Sequence, residues 1–323
     1  MRYRRVTVIG GSGFVGRYIV NRLARRGAVV TVVSRYATRA GYLRPMGEVG
    51  QIVPLNARLG DESLLAAAVA GADAVIFAAG ILYETSAQRF DLVHHRGPAL
   101  LARLARAAGA RRFVHLSAIG ADPASPSAYA RSKAAGEAAV REAFPDATIL
   151  RPSLVFGPED DFFNRFAAMA RLLPALPLIG GGGTRFQPVY VGDVADAALA
   201  ALDRADAPGR TYELGGPEIL TYRELMELIL REIRRRRALV NLPYPLASMA
   251  AVFLSLLPKP LLTCDQVRLL RRDTVAAAGV PGLAELGIAP TALAQVLPGY
   301  LTRFRTAAWR AADQTAAAGP SQG

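Results

Sequence analysis

The chain has 323 residues, enough for one large α/β unit with a smaller one appended and too many for a peptide-sized module. Hydrophobic residues make up 52% and charged residues 20%, so apolar burial can offset chain entropy and a disordered or acidic-tail protein is excluded. The formal charge is +13, carried almost wholly by arginine, since the lysines are Lys133 and Lys259; it favours anionic surfaces without choosing among lipid, acidic protein and nucleic acid.

The N-terminus is basic and then apolar, but VTVIG is short and runs straight into a glycine loop, which reads as a first strand rather than a signal peptide. Short β-branched runs at 6–9, 29–33, 51–55, 74–79, 112–116 and 148–150 then alternate with helical patterns at 15–26, 62–69, 90–108 and 129–143. This alternation predicts a parallel sheet covered on both faces, and right-handed crossovers make it a Rossmann-type doubly wound sheet. Residues 1–155 with 186–205 are expected to form that unit. Residues 156–185 with 206–323 are expected to form a smaller, mostly helical one.

Directly after the first strand comes GGSGFVG, comprising Gly10, Gly11, Ser12, Gly13, Phe14, Val15 and Gly16. Glycines spaced three apart allow a tight turn, let a pyrophosphate approach the main chain and let the helix pack on the strand. The helix N-terminus then offers free N–H groups to the anion. Between a strand and a helix of an alternating half, the motif predicts dinucleotide binding.

The second strand ends in Ser34 and Arg35, with Arg39 one turn on, where a carboxylate would otherwise hold the adenosine ribose. A serine hydroxyl and guanidinium groups suit a 2′-phosphate, so NADP(H) is favoured over NAD(H). Tyr129 and Lys133 stand four apart in SAYARSKAAGE, which puts both on one helix face. An ammonium beside the phenol would lower its pKa from near 10 towards the acid–base range, and the lysine could also hold the nicotinamide ribose.

These motifs, with the strand-end AAG at Ala78, Ala79 and Gly80, RRFVHLSAIGAD, ILRPSLVFGP and FQPVYVGDVA, resemble in order the extended or atypical short-chain dehydrogenase/reductases over most of the chain. Within that superfamily LRPSLVFGPEDDFFNRFAAMA, LPLIGGGGTRFQPVYVGDVA and YELGGPEILTYRELM are most similar to the NADPH-binding accessory subunit of respiratory complex I and its bacterial relatives. The resemblance implies that Ala78, Ala79, Gly80, Ser117, Ala118, Arg151 and Pro152 join Tyr129 and Lys133 around the cofactor. It implies complex I subunits as partners, and a peripheral position on the cytoplasmic side of a bacterial inner membrane.

The superfamily's catalytic hydroxyl falls at Ala118, leaving Ser117 beside it to complete a catalytic set with Tyr129 and Lys133. Losing that hydroxyl removes a transition-state hydrogen bond, a loss of about 2.7–4 kcal/mol where an oxyanion donor is deleted. The resemblance therefore implies a structural nucleotide with little or no turnover. The alternative is an NADP-dependent oxidoreductase or epimerase acting on an apolar small molecule such as a quinone-pathway intermediate. His94 replaces the usual asparagine, Arg58 replaces an acidic adenine contact, and His94 and His95 read as packing and surface.

The single cysteine, Cys264, and the three histidines give no disulfide and no metal-ligand spacing. Glu159, Asp160 and Asp161 read as a loop capping the helix near Phe162 rather than a cation site. Arginine clusters at 2–5, 25–26 and 234–237 lack interleaved aromatics, so nucleic acid is not an expected partner. The solidly apolar run 246–257 is too short to span a bilayer; it reads either as a buried helix or as a patch for a partner or membrane surface. The tail after Trp309 is small and polar, and is expected to fray.

Overall fold

The computed structural model describes residues 3–255 and 260–306; Arg2, Lys259, the end of the apolar run at 256–257 and the tail after Trp309 lie outside them. In chain order the first half forms β1 (Arg5–Ile9), α1 (Phe14–Arg25), β2 (Val29–Ser34), β3 (Ile52–Asn56), α2 (Glu62–Val69), β4 (Ala74–Phe77), α3 (Gly97–Ala107), β5 (Arg112–Leu116), α4 (Ala128–Ala143) and β6 (Thr148–Pro152). The second half adds β7 (Val155–Phe156), α5 (Phe162–Leu172), β8 (Ala175–Ile179), β9 (Arg185–Phe186), β10 (Val189–Tyr190), α6 (Val191–Asp203), β11 (Thr211–Leu214) and β12 (Leu220–Thr221). It ends with α7 (Tyr222–Glu232), β13 (Ala238–Leu242), α8 (Tyr244–Leu254), α9 (Cys264–Leu269) and α10 (Leu293–Leu301).

Seven strands form one parallel sheet in the order β11-β6-β5-β4-β1-β2-β3. The central strands are buried on both faces, as the unbroken AVIF of β4 requires. The helices α1 and α6 cover one face and α2, α3 and α4 the other. The chain runs outward from β1 to β3 and returns on the other side at β4, so the loops after β1 and β4 diverge and open a crevice at the carboxyl edge.

The seventh strand, β11, comes from a stretch that sequence pattern places in the smaller unit. Its Glu213 is buried and reads as polar, but it accepts from Arg151 Nη1 at 3.3 Å and from the Ala277 backbone N–H at 2.8 Å. A matched charge is thereby hidden in a sheet. Leu283 and Leu286 also return to the sheet's core. A second apolar core lies among α5, α7 and α10, around Phe163, Leu225, Ile229 and Leu297. The helix expected over 90–108 is divided: a π-helical turn, Asp91–Arg96, precedes α3.

Helix α4 is fixed from three sides. Ser127 caps its N-terminus by accepting from Ala130 N–H, and the Asp265 carboxylate accepts from Ser127 Oγ at 2.7 Å, Ala128 N at 2.8 Å and Tyr129 N at 3.0 Å. Gly136 lets the helix press on the π-helical turn, since a Cβ there would lie 1.8 Å from the His94 carbonyl oxygen. Arg151 grips Glu137 with Nε and Nη2 at 2.8 and 2.7 Å.

On β5, His115 is buried, with neither ring nitrogen hydrogen-bonded among the described residues. Burial, with the Lys133 and Arg141 charges, pushes it down to about 3; burial, with Lys133 and His115, pushes His94 down to about 2. Both rings are neutral when folded, whereas below pH 6.5 the unfolded chain protonates them, so stability falls as pH drops through 6.5. Between pH 7 and pH 5 the loss should be about 2 kcal/mol for each histidine. In urea unfolding at the two pH values, His115→Phe should remove about half of that combined loss; an unchanged pH dependence would contradict this account.

Candidate functional site

The crevice begins at the glycine loop. Gly10 takes φ +77° and donates its N–H to the Val33 carbonyl at 3.1 Å, turning the chain off β1. A Cβ on Gly10 would lie 2.8 Å from the Ala79 backbone, and one on Gly16 would lie 2.2 Å from the Gly10 carbonyl oxygen. These two glycines bring strand, loop and helix together. Gly13 is the N-cap of α1, with no side chain between the first helical N–H groups and the crevice. Gly10, Ser12, Gly13, Phe14 and Val15 line the cleft, whereas Gly11 packs against Val32 and Gly16 against the turn.

At the carboxyl end of β2, Ser12 donates its hydroxyl to Ser34 Oγ at 3.0 Å. Arg35 and Arg39 are exposed, line the same cleft, and sit over the Tyr36 ring at 5.9 and 4.8 Å from its centre. Among the described residues neither has a carboxylate partner. Arg58 is exposed and lies off the wall; its backbone N–H donates to Asp61 at 3.0 Å.

Ala78, Ala79 and Gly80 follow β4 and line the cleft, as do Ser117 and Ala118 after β5, Tyr129 and Lys133 of α4, and Pro152 at the end of β6. Arg151 lies outside the lining, held in its buried grip on Glu137 and Glu213. Removing one partner from such a pair costs about 3–5 kcal/mol, so Arg151 serves the fold beneath the site.

Tyr129 and Lys133 share one face of α4, but their electrostatics differ from the sequence expectation. Lys133 Nζ donates to the Leu116 carbonyl at 3.2 Å and stands 5.9 Å from the Tyr129 ring centre. Burial pushes the lysine down to about 8 against the opposing Glu137 charge. Burial pushes the Tyr129 phenol up to about 12, away from the useful acid–base range. Ser117 Oγ is buried and has no partner among the described residues.

Sequence reasoning left His94 without a role, and the structure builds it into the site. Its Nε2 accepts from the Ile81 backbone N–H at 3.0 Å, so Nδ1 carries the proton and donates to Ser132 Oγ at 2.9 Å; Ser132 in turn donates to the Tyr129 carbonyl. The ring also meets Tyr129 edge to face at 5.3 Å. His94 thus ties the loop after β4 to the helix bearing Tyr129. The signal for it was its position in the slot where the superfamily has asparagine. His95 is on the surface, 3.0 Å from Asp91.

Asp160 caps α5 by accepting from Phe163 N at 2.7 Å and Asn164 N at 3.2 Å, as the loop reading expects. No group of three metal-ligating side chains occurs among the described residues. The cleft has a volume of about 1000 Å³ and continues from the sheet edge into the second half of the chain. Its glycine cradle, the buried ammonium of Lys133 and the unpartnered Ser117 hydroxyl fit a nicotinamide dinucleotide.

Residues 6–215 match the NAD dependent epimerase/dehydratase family. This chain belongs to that family. It is 38% identical over 311 residues to NADH dehydrogenase [ubiquinone] 1 alpha subcomplex subunit 9, mitochondrial, of Arabidopsis thaliana, covering 93% of this chain and 77% of that one. It is 37% identical over 316 residues to the subunit of the same name from Rattus norvegicus, covering 95% and 82%. Among solved structures, UDP-glucose 4-epimerase from Thermotoga maritima superposes with a TM-score of 0.69 at 19% identity, over 93% of this chain and 98% of that one, and so shares the fold of this family member.

Gly13 has ordinary extended angles, and an added Cβ meets only the Gly10 carbonyl oxygen, at 3.1 Å. Gly13→Val should therefore abolish dinucleotide binding while leaving the thermal unfolding midpoint within a few degrees of the parent. Gly16→Val should cost far more stability, because its Cβ would collide with backbone. Retained dinucleotide in a calorimetric titration of Gly13→Val would refute the cradle.

Proposed function

We propose that this chain is an NADP(H)-holding accessory or assembly subunit of respiratory complex I, held peripherally on the cytoplasmic side of a bacterial inner membrane and turning over little or no nucleotide. The observation that carries this reading is the likeness to named NADH dehydrogenase subunits along nearly the whole chain, including the second half, where fold alone demands little. No helix among the described residues is long and apolar enough to cross a membrane.

The choice of NADP(H) is supported by Ser34, Arg35 and Arg39. Two guanidinium groups without carboxylate partners, stacked on one tyrosine beside a serine hydroxyl, suit a phosphate dianion. The cradle at Gly10, Ser12 and Gly13 would receive the pyrophosphate, and Lys133 the nicotinamide ribose. When bound, the nucleotide can supply or accept a hydride.

Holding rather than turnover is supported by three features of the protein. Ala118 offers no hydroxyl to a developing oxyanion. Tyr129, pushed up to about 12, gives up its proton reluctantly at neutral pH. Lys133 spends a hydrogen bond on Leu116 rather than on the phenol. A ligand bound only by the folded state instead adds stability, about 4.1 kcal/mol at a thousandfold excess over its dissociation constant.

Gentle solubilisation of native membranes followed by native electrophoresis tests the proposal. The chain should migrate with NADH:quinone reductase activity, and its deletion should lower the yield of assembled complex. A chain found only in the free fraction, with the complex assembling normally without it, would contradict the assignment.

A further inference from the structure

The cleft is larger than a nucleotide cradle requires, and its far half has a different chemistry. It continues between helices of the second half, walled by Phe162, Phe166 and Met169 of α5, Ala250 and Leu254 of α8, and Leu269 of α9. The charged side chains on these walls, Asp161 and Arg165, pair with each other, and Arg165 also donates to the Leu261 carbonyl at 3.1 Å. A nucleotide sugar would bring two phosphates into a chamber whose one cation among the described residues of these walls, Arg165, is already paired. An apolar chain would lose only its contact with water.

The chamber joins two features of opposite kind. It shares one cavity with Ser117, whose buried hydroxyl has no partner among the described residues, and with Tyr129. At its other end Leu261 is half exposed, beside α8, which presents Met249, Val252 and Phe253 to solvent while Ala247 and Ala251 are buried. Ala250 and Leu254, half-buried at the border of the side of α8 that carries Ala247 and Ala251, line the interior.

We infer that the chamber binds a single long apolar chain, prenyl or acyl, whose neutral hydroxyl or carbonyl end reaches Ser117 and whose tail runs between α5, α8 and α9 towards Leu261. The inference rests on the reading that the nucleotide takes the sheet side of the cleft. It does not depend on which assembly the protein joins.

The test uses the full chain with saturating NADPH and two neutral fluorescent probes, all-trans-retinol for a prenyl chain and the methyl ester of cis-parinaric acid for an acyl chain. At least one should bind saturably at one per chain, and the probe that does so names the source. Ala250→Trp and Met169→Trp, from two walls of the chamber, should each weaken binding about tenfold or more by filling it. Met249→Ser, on the outer face of α8, should leave it unchanged; two filling variants keep the test decisive where one fails to fold. Absence of saturable binding, indifference to both tryptophans, or loss in Met249→Ser, which would mean adsorption on the surface, would overturn the inference. NADPH is titrated in parallel, so probe binding without nucleotide binding would sink the nucleotide reading and leave the chamber.

Discussion

The position of α4 is the constraint on which the site depends. That helix carries Tyr129, Ser132 and Lys133, and nothing within its own sequence fixes where its first turn points. Asp265, from α9, does so by accepting three hydrogen bonds at the N-terminus of α4, each to a charged acceptor and worth about 1.5–3 kcal/mol. The same contact pins the second half of the chain to the sheet. Gly136 then sets the depth at which α4 sits on the π-helical turn, and the Arg151 grip on Glu137 sets its far end. The same helix α4 thus presents Tyr129 and Lys133 to the cleft and meets α9, one wall of the chamber, through Asp265.

Local pattern carries far in this chain. The six strands read from β-branched runs are strands of the sheet, the central ones because burial on both faces demands mostly apolar side chains. The GGSGFVG loop is legible because only glycine tolerates the positive φ of Gly10 and the approach of Gly16 to its carbonyl. The spacing of Tyr129 and Lys133 is equally plain, since it follows from helix geometry alone.

What stayed hidden involves partners distant in sequence. The strand β11 is masked by Glu213, whose charge is matched by a residue 62 positions away. The Asp265 cap reaches 137 positions from Ala128. Arg151 sits in a stretch that resembles a cofactor contact, yet two buried glutamates claim it. The pair spacing could not say that burial would push the Tyr129 phenol up, because that depends on how the fold encloses the ring. The described part of the apolar run, on α8, is neither wholly buried nor wholly exposed: Ala247 and Ala251 pack inward, Leu254 lines the cleft, and Leu246, Met249, Val252 and Phe253 face water.

NADP(H) bound through Ser34, Arg35 and Arg39 is the proposal on which the functional reading stands. Calorimetric titration of the purified chain with NADPH and NADH, repeated on Arg35→Asp, tests it most directly, because the substitution puts a like charge against the 2′-phosphate and leaves the cradle untouched. NADPH should bind the parent about tenfold or more tightly than NADH, and that advantage should vanish in the variant while NADH binding persists. Equal affinity of the parent for both nucleotides, or equal losses of both in the variant, would contradict it.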